Sequence, residues 1–72
     1  MKLDENKKLI LTEEELGYVK KANIMASPSI AGTYLRSYAK NHNLVEDVET
    51  EKDLNFFIEC ILAYRRKNFE IK

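Results

Sequence analysis

Lys7-Lys8-Leu9-Ile10-Leu11-Thr12-Glu13-Glu14-Glu15 is the stretch on which the fold turns, because an apolar run too short to name its own conformation meets a strong helix start there. Read as a strand, Lys7, Leu9 and Leu11 share one face while Lys8, Ile10 and Thr12 share the other. Read as helix, Lys7 to Leu11 would form the opening turn of the first helix. Thr12-x-x-Glu15 favours the strand, since it fits a capping box and places Glu13 and Glu14 at the positive end of a helix dipole. The spacing therefore predicts one strand over residues 7–12 feeding a helix that starts at Glu13.

Downstream, Leu16, Val19, Asn23 and Ala26 recur at helical spacing, joined by Ala22 and Met25, so the first helix is expected to reach about Ala26. Gly17 inside it costs about 1 kcal/mol relative to alanine. Ser27 as cap and Pro28 at the first helical position open a second helix running to Asn41, with Asn41-His42-Asn43 as its exit. It carries two adjacent i,i+4 rows, Ile30, Tyr34, Tyr38 and Ala31, Leu35, Ala39. After an acidic stretch from Glu46 to Asp53, Thr50-x-x-Asp53 is expected to cap a third helix whose Leu54, Phe57, Ile58, Ile61 and Leu62 form an apolar face. Phe56, Cys60 and Ala63 widen that face, and Arg65-Arg66-Lys67 fall near the negative end of its dipole. Met1 to Asn6 reads as a loose arm. Residues 1–45 form one unit and 46–72 an amphipathic helix packed on the same domain.

A chain of 72 residues buries a marginal core, so outside help is expected. One cysteine excludes an internal disulfide, and one histidine excludes a Cys/His zinc cluster, which leaves self-association. The net charge of +0 conceals an asymmetry. Residues 1–45 carry seven cations against five acids and the remainder five against seven, so a nucleic-acid surface would belong to the first part. No apolar run has the length of a membrane span, and the N-terminus lacks a signal-peptide core, so no membrane partner and a cytoplasmic location are expected.

Catalysis finds little material. His42 and Cys60 fall on different predicted elements, with no nucleophile motif, phosphate-cradling glycine loop or metal-ligand spacing, so neither an enzyme nor a cofactor or metal is expected. Cys60 on an apolar face reads as an inert packed thiol. The strand carries a sharper possibility. Two copies pairing residues 7–12 antiparallel would form a ribbon fit for the major groove of duplex DNA, with Asn6, Lys8 and Ile10 pointing at base edges. Ser27 and Ser29 would anchor phosphate at a helix N-terminus, and Lys7, Lys20, Lys21 and Arg36, with Lys40, would add salt-dependent affinity. Leu9, Leu11, Tyr34, Leu35, Tyr38, Phe57 and Ile61 would then form the dimer or partner interface.

The order of strand, Thr-Glu-Glu-Glu helix and serine-opened helix resembles the ribbon-helix-helix family of DNA-binding proteins. Within it, Tyr34-Leu35-Arg36-Ser37-Tyr38-Ala39 through Leu44-Val45 is similar to the second helix of plasmid relaxosome accessory proteins. The resemblance covers residues 7–45. It implies a mainly α homodimer, with one short strand pairing between subunits and two helices, to which this chain adds a third. It further implies transcriptional repression or a relaxosome role on a mobile element, with Lys8 and Ile10 reading bases and Ser27 or Ser29 clamping phosphate. The alternative from the residues alone is an all-helical interaction module without DNA binding, an inhibitor or antirepressor that grips a host or mobile-element regulatory protein.

Overall fold

The computed structural model describes residues 1–45 and 48–72. The described residues form strands β1 (Lys2–Leu3), β2 (Leu9–Leu11) and β3 (Phe69–Ile71), and helices α1 (Glu13–Asn23), α2 (Pro28–His42), α3 (Val48–Glu51) and α4 (Leu54–Arg65). The chain is thus mainly helical, with a short three-stranded sheet.

The strand expected at 7–12 is present at 9–11, and it starts late because Lys7 takes a left-handed φ of 59°. Asp4 organises the turn before it: its carboxylate accepts from the backbone amides of Asn6 (2.8 Å) and Lys8 (2.9 Å). Its pairing differs from the expected ribbon. β2 is the central strand, antiparallel to β1 on one side and parallel to β3 on the other. Both of its edges are therefore hydrogen-bonded within one chain, and a second copy finds no free backbone there. Two further expectations are corrected. Met1 to Asn6 is not a loose arm, since Lys2–Leu3 pairs with Leu9–Ile10 and Met1 is buried. The last residues form a strand for which the sequence offers no separate signal.

Thr12 caps α1 as its spacing predicts, its hydroxyl accepting from the Glu15 amide while the Glu15 carboxylate accepts from the Thr12 amide. The same carboxylate, buried at 7 % exposure, receives the Met1 amino group, which also donates to the Leu44 carbonyl at 2.7 Å. The Glu15 carboxylate and the Met1 amino group together join the N-terminus, the start of α1 and the exit of α2. α1 stops at Asn23, three residues short of expectation, because Ile24 caps it and Met25 folds back to the Ala22 carbonyl. Arg65 at the end of α4 reaches over to Asn23, its Nε donating to the side-chain oxygen at 2.7 Å.

α2 opens on Ser27 and Pro28 as expected, and it closes at Asn43 in the left-handed conformation. The expected single third helix is two. Thr50 lies inside α3, and Asp53 itself caps α4 by accepting from the Asn55 amide. The expected boundary between residues 45 and 46 abuts Glu46 and Asp47, which lie outside the described residues.

The core joins Leu9 and Leu11 from the sheet to Val19 and Ala22 of α1, Ala31, Leu35 and Ala39 of α2, and Phe57, Cys60 and Ile61 of α4, all at 0–1 % exposure. Each large side chain buried this way contributes about 1.5–3 kcal/mol. Leu9, Leu11, Leu35, Phe57 and Ile61 were expected at an interface between chains; each is instead enclosed by its own.

α2 and α4 approach closely at Gly32, where an added Cβ would sit 2.8 Å from Ile58 Cγ1 and 3.2 Å from Ile58 N. Gly17 on α1 meets nothing within 4 Å. The two glycines predict opposite responses to alanine in urea unfolding. Gly32→Ala should lose about 1–3 kcal/mol through overpacking, while Gly17→Ala should gain roughly 0.5–1 kcal/mol from helix propensity.

Candidate interaction surface on the second helix

The two rows read along α2 part company in the structure. Ala31, Leu35 and Ala39 are fully buried, whereas Ile30 is 55 % exposed, Tyr34 and Tyr38 are half-buried and His42 is exposed. Successive i,i+4 steps put Ile30, Tyr34, Tyr38 and His42 on one stripe along the whole helix. The rings form a contiguous stack, with centroids 5.2 Å apart for Tyr34–Tyr38 and 4.7 Å for Tyr38–His42. Tyr18 joins from α1, 4.8 Å from Tyr38 and 5.5 Å from His42. Desolvation, then the neighbouring Glu14 carboxylate, push the Tyr18 phenol above its ordinary value, so it stays a neutral donor toward Glu14. Ile24, at the turn that leads into this helix, is 85 % exposed. Tyrosine side chains presented at a surface are among the groups enriched in protein interfaces and their hot spots.

The opposite flank of α2 is polar. Thr33, Arg36, Ser37 and Lys40 line a groove of about 400 Å³ that Glu51 at the end of α3 and Lys52 just past it border on the other side. Thr33 uses its hydroxyl to bond the Ser29 carbonyl at 3.0 Å.

The residues expected to read bases lie on the sheet side. Asn6 is in the β1–β2 turn, Lys8 is half-buried, and Ile10 is flanked in register by Lys2 on β1 and Glu70 on β3. A lysine on one side and a carboxylate on the other leave that row without a uniformly positive field. The expected phosphate contacts are spread over several elements. The Ser27 hydroxyl is occupied as a cap by the Ile30 amide, and Ser29 is exposed one residue past Pro28. Lys7 lies 3.8 Å from Glu59 of α4, Lys20 and Lys21 are exposed on α1, and Arg36 faces the groove on α2. Of the expected interface residues, Tyr34 and Tyr38 are the two at the surface.

Helical spacing pairs Ile30 with Tyr34 and Tyr38 but assigns no role to Ile24, His42, Thr33, Ser37 or Lys52. The signal available was the continuation of the row to His42; what placed Lys52 opposite Arg36 was the packing of α4 on α2. Among the described residues no group of three His, Cys, Asp or Glu side chains could hold a metal ion, and no helix is long and apolar enough to cross a membrane. No protein-family model matches this sequence, and neither a curated protein nor a solved structure matches it.

Cys60 is fully buried, and burial pushes its thiol up to about 12. A thiol whose folded value lies above its unfolded one supports the fold in its neutral form. That contribution is complete below the ordinary value of 9.0 and is lost as pH rises through about 12. The difference in unfolding free energy between the parent and Cys60→Ala should therefore shrink steadily above pH 9.0, and the native thiol should resist a disulfide reagent until the chain unfolds.

Proposed function

We propose that this chain is a non-enzymatic protein-interaction module that docks its partner on the outward face of α2. The observation that carries the reading is the division of α2 into a buried row of Ala31, Leu35 and Ala39 and a surface row of Ile30, Tyr34, Tyr38 and His42. A helix pinned against α4 at Gly32 holds that surface row in place, so a partner would bind without first ordering it.

Duplex-DNA binding is the second reading, and Arg36 and Lys40, one turn apart and both exposed, are its support. The ribbon form of that reading needs a free edge on β2, and β1 and β3 hold both. A DNA contact would have to be made by α2 itself, with affinity falling steeply as salt rises.

Photo-crosslinking separates the two. With p-benzoylphenylalanine in place of Tyr34, irradiation in an extract of the native host should yield a discrete protein adduct, and the same group at Lys20 should yield none. Ile30→Asp should abolish the adduct while moving stability by no more than about 0.5 kcal/mol, as an exposed substitution does. Equal labelling from both positions, or a nucleic-acid adduct from position 34, would overturn the interaction reading.

A further inference from the structure

We infer that the partner segment is acidic and amphipathic, with its carboxylates seated in the groove between Arg36, Lys40 and Lys52 and its apolar side laid on Ile30, Tyr34 and Tyr38. This rests on the reading of α2 as a docking face and adds the chemistry of the occupant. Among the described residues, the groove brings three cations and the hydroxyl-bearing Thr33 and Ser37 together against one carboxylate, Glu51. Met1 pairs with Glu15 and Lys7 with Glu59, and none of the three groove cations takes part in either pair. Lys40 in the last turn of α2 and Lys52 just past the end of α3 suit the helix dipoles, but Arg36 at mid-helix has no such explanation. An excess of positive charge gathered from two elements is complementary to an anion.

Exposure and neighbourhood then select among anions. Thr33, Arg36, Ser37, Lys40 and Lys52 are all exposed, whereas a small phosphorylated molecule is held by enclosure, with most of its surface buried. A nucleic-acid duplex, whose bases are stacked inside, would satisfy the cations but brings phosphates and sugars, not apolar groups, to the aromatic stripe one helix face away. A protein segment that is acidic on one side and apolar on the other satisfies both flanks of α2 at once, and Arg36 can engage a carboxylate through two parallel hydrogen bonds.

Selection of a random peptide library on the immobilised full-length chain, followed by fluorescence polarisation with the enriched peptides, tests this. Enriched sequences should be rich in Asp and Glu with apolar residues at i, i+3 and i+4, and should bind more weakly as salt is raised. Arg36→Gln and Lys40→Gln should each weaken binding by roughly two- to fivefold, as expected for an exposed ion pair. Lys20→Gln should leave it unchanged, and thermal melts should show all three variants folded. Neutral or basic peptides that lose binding on Ile30→Asp would overturn the acidic partner while leaving the docking face standing. Peptides indifferent to Ile30, Arg36 and Lys40, or no enrichment at all, would overturn both. A duplex oligonucleotide that displaces the peptides and is itself weakened by Arg36→Gln and Lys40→Gln would assign the groove to nucleic acid and overturn the inference.

Discussion

A three-residue strand with both edges hydrogen-bonded inside a single short chain is the constraint on which the rest of this architecture depends. Leu9–Leu11 lies in the middle of the sheet with its leucines in the core, and its backbone polar groups need partners there. β1 supplies one set through a tight turn. β3 supplies the other, and because it runs parallel to β2 the intervening chain must cross the whole body before returning. All four helices make up that crossover. The Glu15 carboxylate stabilises the same junction, since it satisfies the Thr12 amide and the Met1 amino group together and so ties the sheet to the start of α1.

Closing the sheet within the chain removes the means by which two copies would have built a ribbon. It also consumes the apolar surface that a marginal core would otherwise share with a second subunit. Phe57, Cys60 and Ile61 of α4 fill the space against α2 and the sheet, so α4 completes the core from within the chain. Gly32 makes that possible, because any larger residue would hold α2 off Ile58.

The far side of α2 remains outside, and it is not uniform. An aromatic stripe runs along one flank and cations collect on the other, with the Thr33 and Ser37 hydroxyls in the groove beside them. Packing energy accounts for the buried row of this helix and for the inner edges of Tyr34 and Tyr38, but places no demand on Ile30. Ile30 and Ile24 in particular leave apolar surface in water, which is ordinary for isolated residues and informative when it adjoins stacked rings.

Local chemistry was legible in the sequence. The Thr12 capping box, the Ser27-Pro28 opening of α2, the apolar face of α4 and the division of α2 into two rows all depend on neighbours within a turn or two, and the structure reproduces them. Strand pairing was not, because three residues such as Leu9-Ile10-Leu11 or Phe69-Glu70-Ile71 carry no record of their neighbours in space. Their partners are set by where the helices deliver the chain. The same holds for the candidate site: Tyr34 and Tyr38 were visible as a pair, but which α2 row would face water, and that Lys52 would stand across from Arg36, depended on α4 covering the other side. Sequence determined the elements whose hydrogen bonds close locally, and tertiary packing alone decided which surfaces were left for another molecule.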